Sequence, residues 1–579
     1  MRTASRAVPL LCALLALGAC QTADDGATVT TDTTVAEMVD FAETARPAPS
    51  VAQTAPSFGD TEVAGEPSRE GYNPITENEF QDATANPLST FAIDVDAASY
   101  ANVRRFLLNE GRMPPADAVR IEELVNYFDY DYPDPRGDAP FSVVTEVGPA
   151  PWNPEHRLVH VGLQGRRIDA ASLPPANLVF LVDVSGSMDA PNKLPLLKDA
   201  FLMLTDNLRP RDRVSIVVYA GAAGMVLPPT SGEEKGRIRD AITTLQLGGS
   251  TNGAEGIQLA YRLAREAFVR GGNNRVILAT DGDFNVGVSS DAELVRLIER
   301  ERQSGIFLTV LGFGTGNLQD ARMEQLADRG NGNYAYIDAI DEARKVLVGE
   351  MGGTLFAIAK DVKVQVEFNP ARVKAYRLIG YENRLLAAED FNDDTKDAGE
   401  LGAGHSVTAL YEVVPVGASG NPARGVDPLR YQQTHPRSPV VNAMNRLADR
   451  LGGAPPASDE LLLVKLRYKA PDGDVSRLLS HPLRDRGASL AAASPDFRFS
   501  AAVAEWGMLL RDSRFRGTAS YGDVARLARG ALASDRGGYR AEFLRMVEAS
   551  QRFSDTYARQ DARRQDRVLQ DGEMTVVER

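Results

Sequence analysis

Between residues 177 and 352 the sequence alternates short apolar runs with amphipathic helical patterns, and this alternation limits the fold more than any other feature. The runs "NLVFLVD", "RVSIVVYA", "NRVILATD" and "GIFLTVLGFG" are rich in β-formers, and segments such as "GAEGIQLAYRLAREAFVR" lie between them. Strands that alternate with helices form a doubly wound sheet with a mostly parallel core. The sequence therefore predicts an α/β fold for residues 177–352.

The segments on both sides of this region have a different pattern. Alternating apolar and polar residues with turn signals predict β-rich segments before and after the α/β domain, and both could belong to one sandwich. A helical region follows, beginning with Ser494 as N-cap and Pro495 at the first helical position. The predicted divisions are an N-terminal α/β region (76–140), a β-rich flank (141–176), a β-rich C-terminal domain (353–490) with an insertion (417–458), C-terminal helices (491–555) and a charged, frayed tail (556–579).

The first twenty residues have the pattern of an export leader. Arg2 and Arg6 precede an apolar run that is too short to span a bilayer, and small residues lead to Cys20. "LGAC" resembles the bacterial lipobox, and this resemblance implies cleavage before Cys20 and lipidation of that residue. Gln21 would then favour the outer membrane, facing the periplasm or the cell surface, over the inner membrane. Residues 20–75 lack a sustained period and predict a disordered tether.

The strand "NLVFLVD" ends in an acid, and two serines and a glycine follow it. Asp183, Ser185 and Ser187 form a D-x-S-x-S pattern, which presents oxygens from alternate positions of one loop. Ligands of doubly wound sheets bind at the carboxyl ends of the strands. Hard oxygen groups suit Mg²⁺ or Ca²⁺. A capped turn is the alternative interpretation of this motif taken alone.

Two further loops fall at the same predicted edge. "LGGSTNGAEGI" places Thr251 before a helix, and "VILATDGDFN" ends a strand with Asp281 and Gly282. This three-part set resembles the metal-ion-dependent adhesion site of the von Willebrand factor A family, whose fold is Rossmann-like. The resemblance implies five metal ligands, direct or through water: Asp183, Ser185, Ser187, Thr251 and Asp281.

Longer stretches, among them "STFAIDVDAASYANVRRFL" and "VEFNPARVKAYRLIGYENRLL", look like the bacterial A-domain lipoproteins of the YfbK type. The resemblance extends from Asn78 to about Phe553 and implies an N-terminal region, an A domain and a C-terminal region of unknown function. The resemblance to the metal-ion-dependent adhesion site, with its oxygen ligands, implies Mg²⁺ as the cofactor, with Mn²⁺ or Ca²⁺ as alternatives. We expect the ion to keep one exchangeable position for an Asp or Glu of a protein partner.

Other features point away from different functions. The net charge of −15 argues against a nucleic-acid partner. The histidines are scattered, and His156 and His160 are interpreted as ordinary strand residues. No hydrolase motif is present, so we predict no catalytic residues and no enzyme. "DVDAAS" (Asp94 to Ser99) is interpreted as a helix cap, and "GFGTG" (312–316) as a turn.

Two functions remain open at this stage. The first is metal-dependent binding of protein partners at the bacterial envelope, with the lipid at Cys20 as membrane anchor. The second is an assembly or scaffold role, in which the metal site is structural and the C-terminal region binds the partner. The sequence does not decide the oligomeric state.

Overall fold

The computed structural model describes residues 70–576 with internal gaps, and the structural statements below refer to those residues. The gaps are 94–95, 170, 221–222, 249–252, 283–290, 351–355, 397, 421, 424–458, 472, 533–534 and 536, and the side chains of residue 291 and of 561–576 are not described. The predicted leader, Cys20, the tether up to residue 69, Thr251 and most of the predicted insertion therefore lie outside the described residues.

The strands are β1 (Gln81–Asp82), β2 (Leu88–Ala92), β3 (Phe141–Ala150), β4 (Asn153–Gly165), β5 (Ala176–Asp183), β6 (Arg213–Tyr219), β7 (Ala223–Ser231), β8 (Asn273–Thr280), β9 (Ile306–Phe313), β10 (Tyr334–Ile337), β11 (Ala357–Phe368), β12 (Val373–Ile379), β13 (Leu385–Leu386), β14 (Leu401–Gly402), β15 (Ser406–Pro415), β16 (Leu462–Lys469) and β17 (Ser476–Leu483). The helices are α1 (Ala98–Arg104), α2 (Ile121–Asn126), α3 (Leu194–Asn207), α4 (Lys235–Thr243), α5 (Gly253–Glu266), α6 (Asp291–Gln303), α7 (Asp320–Arg329), α8 (Ile340–Arg344), α9 (Pro495–Leu510), α10 (Tyr521–Arg529) and α11 (Tyr539–Val576).

A six-stranded sheet forms the α/β part of the chain, in the order β10-β9-β8-β5-β6-β7. Neighbouring strands from β10 to β6 are parallel, whereas the edge strand β7 pairs antiparallel with β6. Helices α3, α4 and α8 pack on one face, and α5, α6 and α7 pack on the other. Because both faces are covered, every residue of β5 and β8 is buried, which explains their continuous apolar character. The predicted doubly wound sheet is confirmed.

The strands on either side of the α/β part form one sandwich of two antiparallel sheets. One sheet has the order β1-β12-β15-β4-β3 and the other the order β13-β2-β11-β16-β17. β4 precedes the α/β part and β15 follows it, yet they pair from Arg157 with Val413 to Gln164 with Ser406. The inner faces of the two sheets share one apolar core. The α/β domain is therefore inserted between strands that are neighbours in the sandwich.

A layer of helices covers the outer face of the five-stranded sheet. A Cβ atom added to Gly148 would lie 3.0 Å from the ring of Phe497, so α9 packs closely on β3. The predicted cap of α9 is present, because the Phe497 N–H donates to Ser494 Oγ at 3.0 Å. The tail that we expected to fray is helical as far as Val576 in α11. No helix in the described part of the chain combines the length and apolar character needed to cross a membrane.

The N-terminal region is divided between the sandwich and the helical layer. β1 and β2 each join one sheet of the sandwich, and α1 and α2 contribute to the core of the helical layer. All five residues of β2, Leu88–Ala92, lie at least partly buried in the sandwich. The predicted N-terminal α/β region therefore packs as part of the sandwich and the helical layer.

Two expectations about this region were wrong. We placed residues 70–75 in the tether, but Glu70 forms an ion pair with Arg105 at 2.8 Å, and Gly71 N–H donates to the Leu318 carbonyl at 2.9 Å. We interpreted "DVDAAS" as a cap of α1, but the N-cap position has no side-chain hydrogen bond. Asp96 instead accepts a hydrogen bond from Tyr334 N–H at 2.8 Å, which fastens this segment to the edge strand β10.

His160 on β4 makes the stability of this packing depend on pH. It is buried, with Tyr132 Oη 2.5 Å from its Nε2 and Ser500 Oγ 2.9 Å from its Nδ1. Burial lowers the pKa of His160 to about 3. The unfolded chain binds this proton below about pH 6.5, so folding stability is lost as the pH falls from there toward the folded pKa.

Between about pH 7.5 and about pH 5.0, we expect the wild type to lose about 2 kcal/mol more unfolding free energy than the His160→Gln variant. Urea denaturation of both proteins at the two pH values measures this difference. Equal losses in the two proteins would contradict the assignment of the pH dependence to His160.

Candidate functional site

The candidate site lies at the carboxyl ends of β5 and β8, where the order of the strands reverses. The chain runs from β5 outward to β6 and β7, then crosses back to place β8 on the other side of β5. Such a reversal opens a crevice at the strand ends, where ligands of doubly wound sheets bind. Asp183 is the last residue of β5, and Asp281 follows the last residue of β8. The topology therefore brings two acids from distant parts of the sequence to one crevice.

Asp183 is completely buried at the floor of the crevice. Its Oδ1 accepts a hydrogen bond from Ser185 N–H at 2.9 Å. Its Oδ2 accepts from Tyr219 Oη at 3.1 Å and from Thr280 Oγ1 at 3.3 Å. Both neighbouring strands, β6 and β8, thus contribute a hydroxyl that orients the carboxylate. Among the described residues, no cationic side chain pairs with Asp183.

The two serines that follow Asp183 in the first loop have their hydroxyl groups in contact. Ser185 Oγ and Ser187 Oγ are 3.0 Å apart, and Ser187 also forms a side-chain hydrogen bond with Asp281. Ser185 is buried, whereas Ser187 is exposed to solvent. The hydroxyls therefore lead from the buried carboxylate to the open side of the crevice.

Asp281 is also completely buried, but it has a cationic partner. Lys193 Nζ, which comes from the start of α3, donates to Asp281 Oδ2 at 2.9 Å. The same ammonium group donates to the Ser187 carbonyl at 3.0 Å and to Asn317 Oδ1 at 3.3 Å. Lys193 thus connects the first loop, the end of β8 and the loop after β9.

The two carboxylates differ in their pKa values because of this lysine. Burial raises the pKa of Asp183 to about 6, and the charge of Asp281 adds to the rise, against the hydrogen bonds from Ser185 and Tyr219. Burial also opposes ionisation of Asp281, but the hydrogen bonds and charge of Lys193, with help from Asn317 and Ser187, lower its pKa. One carboxylate is therefore neutralised by the protein itself, and the other is not.

The structure places four of the five predicted ligands together, namely Asp183, Ser185, Ser187 and Asp281. The fifth, Thr251, lies outside the described residues. Gly248, the last described residue before Thr251, donates its N–H to the Val184 carbonyl of the first loop at 2.8 Å. In the described part of the chain, no group of three or more His, Cys, Asp or Glu residues is arranged for a metal. Asp183, Ser185, Ser187 and Asp281 do not form such a group, because they combine only two carboxylates with two hydroxyls.

Sequence reasoning missed Lys193, Tyr219, Thr280 and Asn317. Asn317 belongs to the loop after β9 and directly follows "GFGTG" (312–316), which we had interpreted as a turn. This loop follows a parallel strand of the same sheet, and that signal could have placed it at the same edge. For Lys193 the sequence carries no comparable signal, because its contact depends on how α3 packs across the sheet.

His156 and His160 make contacts inside the sandwich and under the helical layer. His156 Nδ1 lies 2.6 Å from Glu412 Oε1, and Arg377 donates to the other oxygen of Glu412 at 2.8 Å. Burial opposes ionisation of Glu412, but His156 and Arg377 lower its pKa. His160 packs under the helical layer. Neither histidine is bonded to a predicted site residue in the described part of the chain.

Gly282 allows the loops of the site to approach one another. Its φ is +106°, and a Cβ atom there would lie 2.6 Å from Gln319 N and 2.7 Å from Asn317 O. We expect Gly282→Ala to push the loop after β9 away from Asp281, with a backbone strain of about 1–3 kcal/mol added. Urea denaturation should show lower stability. If the predicted ligands hold an ion, Mn²⁺ titration should also show weaker binding of that ion.

Gly271→Ala is the matched control for this prediction. Gly271 also has a positive φ of +70°, but a Cβ atom there would meet nothing within 4 Å. The Gly271→Ala variant should lose stability through backbone strain alone, and its Mn²⁺ titration should match that of the wild type. Equal ion binding in both variants would contradict the role of Gly282 in loop placement.

Family profiles match three stretches of the chain. A profile described as "von Willebrand factor type A domain" matches residues 177–347, one described as "von Willebrand factor" matches 66–160, and one described as "Uncharacterized protein YfbK, C-terminal" matches 353–553. The α/β part, with its crevice at the strand ends, is a von Willebrand factor type A domain.

A relative that matches most of the chain identifies the family. "Uncharacterized protein YfbK" of Escherichia coli (strain K12) is 42% identical over 515 residues, which are 87% of this chain and 86% of that protein. The chain belongs to the YfbK family.

More distant proteins match as well. Inter-alpha-trypsin inhibitor heavy chain H4 of Homo sapiens is 32% identical over 162 residues, which are 26% of this chain and 17% of that protein. A solved structure, von Willebrand factor type A from Catenulispora acidiphila, matches 81% of this chain and 89% of its own at 14% identity, with a TM-score of 0.36. None of these descriptions names a catalytic activity.

Proposed function

We propose that this protein is a lipid-anchored protein of the bacterial cell envelope that binds protein partners through a divalent metal ion. The convergence of Asp183, Ser185, Ser187 and Asp281 at the reversal of strand order carries the proposal. The partner supplies an Asp or Glu side chain to the ion. The chemistry is binding, and none of the four residues is assigned a catalytic role.

The donor set fits a hard divalent ion. Carboxylate and hydroxyl oxygens are the ligands that Mg²⁺ takes, and Mn²⁺ or Ca²⁺ would also fit. Asp183 is a buried carboxylate that pairs with no cation among the described residues, and such a charge is costly unless it is neutralised. Asp183, Ser185, Ser187, Asp281 and Thr251 would hold the ion and leave the partner's carboxylate to complete its coordination.

The exposed position of Ser187 supports access for a partner. The carboxylates lie at the bottom of the crevice, and the Ser187 hydroxyl lies at its open side. A carboxylate from a partner could therefore approach from the solvent without rearrangement of β5 or β8. Anchoring at Cys20 rests on the leader pattern alone, and we favour the outer membrane.

Capture of partners from detergent-solubilised envelope tests the proposal. The full-length protein is immobilised in Mg²⁺ or in EDTA, as wild type, Asp183→Ala and Asp189→Ala. Asp189 is an exposed acid of the same loop and serves as the matched control. We expect wild type and Asp189→Ala to retain partners in Mg²⁺ and release them in EDTA, and Asp183→Ala to retain none.

Retention of the same partners in EDTA would contradict metal-mediated binding. That result would favour the alternative function, in which the metal site is structural and the C-terminal region binds the partner. The anchor is tested separately, because a Cys20→Ser variant should move from the membrane fraction to the soluble fraction.

A further inference from the structure

Lys193 holds a fixed position inside the candidate metal site. Its ammonium group contacts Asp281 Oδ2, the Ser187 carbonyl and Asn317 Oδ1 at 2.9, 3.0 and 3.3 Å. Its side chain is 9% exposed, and that of Asp281 is fully buried. A surface ion pair would contribute little, but this pair is shielded from water, so the charge of Lys193 is screened less than that of a surface lysine.

The loop after β9 forms a slot for the stem of this lysine. Gly314 has a φ of +75°, and a Cβ atom there would lie 2.3 Å from Lys193 Cε and 2.4 Å from its Cγ. The Gly314 carbonyl is held in place by Tyr336, whose hydroxyl donates to it at 2.7 Å. The slot therefore admits the aliphatic stem only because residue 314 has no side chain, and it fixes the direction of the ammonium group.

The charges of the site then follow by counting. Among the described residues of the site, Asp183 and Asp281 contribute two negative charges, the two serines contribute none, and Lys193 contributes one positive charge. The sum is −1 without a metal ion and +1 with a divalent ion. Without Lys193 the loaded site would be neutral and would attract an anionic group less strongly.

We propose that Lys193 is a built-in cation that weakens divalent-ion binding and makes the loaded site selective for a carboxylate ligand. The inference rests on the proposed function and assigns a specificity-determining role to a residue outside the predicted ligand set. Two effects follow from Coulomb's law. The ammonium group repels the incoming ion and competes with it for Asp281, and it leaves the loaded site with a positive charge that a guest carboxylate neutralises.

The test is a titration of the full-length protein with Mn²⁺, in which electron paramagnetic resonance measures the free and bound ion. Lys193→Met keeps the aliphatic stem and removes the charge. We expect it to bind Mn²⁺ at least about tenfold more tightly than wild type. Lys235→Met is the matched control, because Lys235 lies at the start of α4, where its ammonium group donates to the Asp206 carbonyl. It should bind Mn²⁺ as wild type does.

A second measurement addresses the guest ligand. Acetate is titrated into the Mn²⁺-loaded proteins. Its binding is measured as a decrease in the water-proton relaxation rate, because acetate displaces water from the ion. We expect acetate to bind at least about threefold more weakly to Lys193→Met than to wild type. Should Lys193→Met not fold, Lys193→Gln replaces it, since the amide can still donate to Asp281 without a charge.

The outcomes separate this inference from the proposed function. Absence of Mn²⁺ uptake by both wild type and Lys193→Met would overturn the proposed function. Uptake with equal affinity in both, or weaker uptake by Lys193→Met, would overturn only the role of Lys193. Tighter Mn²⁺ binding together with weaker acetate binding supports the proposal.

Discussion

Replacement of Asp183 by Ala is expected to weaken divalent-ion binding by about a hundredfold or more. Asp183 is the buried carboxylate at the floor of the crevice, and it is the one of the two acids that Lys193 does not neutralise. It also accepts the hydrogen bond that shapes the first loop, from Ser185 N–H. If the proposed function holds, the variant therefore loses a charged ligand together with the hydrogen bond that positions the neighbouring hydroxyl ligand, Ser185.

Isothermal titration with Mg²⁺ and Mn²⁺ measures this effect. Asp189→Ala should retain the wild-type affinity, because its exposed side chain belongs to the same loop but not to the ligand set. Thermal unfolding without metal checks that the variants are folded. Wild-type affinity in a folded Asp183→Ala protein would show that Asp183 is not a ligand of the ion. That result would contradict the proposal of metal-mediated binding.

Replacement of Arg104 by Met is expected to destabilise the protein by about 3–5 kcal/mol. Arg104 on α1 donates to Asp338, which follows β10, to Glu342 on α8 at 2.8 Å, and to Glu542 on α11 at 2.9 Å. It thus connects the N-terminal region, the α/β domain and the C-terminal helices. The side chains of Asp338 and Glu342 are only 3% and 2% exposed, so the variant would leave buried carboxylates without their cation.

The pKa of Asp338 supports this expectation. Burial raises its pKa even with Arg104 beside it, so the cost of burying the carboxylate is already large in the wild type. Urea denaturation measures the loss of unfolding free energy. Arg239→Met is the control, since Arg239 and Asp206 form an exposed pair that should contribute less than about 1 kcal/mol. A loss of the same small size in Arg104→Met would contradict the structural role of this cluster.

Much of the fold could be predicted from local patterns. The continuous apolar runs of β5 and β8 predicted strands buried on both faces, and their alternation with helices predicted a doubly wound sheet. The β character of both flanks predicted the sandwich. The D-x-S-x-S motif and the Asp-Gly dipeptide stand directly at strand ends, so the rule for strand ends predicted that Asp183 and Asp281 would meet.

Predictions were poorer where a residue's role depends on a distant partner. Asp96 resembled a helix cap in the sequence, but it accepts a hydrogen bond from the edge strand β10. Glu70 resembled part of a tether, but it pairs with Arg105. A short acidic segment has the same local pattern in both situations, and only the packing of other elements decides between them.

By itself, the amino-acid sequence determined the α/β class, the sandwich and the oxygen-bearing side chains of the candidate site, because periodicity and strand-end motifs are properties of neighbouring residues. The tertiary structure alone decided the electrostatics of that site. Lys193 reaches Asp281 across 88 positions of the chain, through a slot that Gly314 leaves open. Such a contact depends on how α3 and the loop after β9 pack on the sheet, and no local pattern encodes that packing.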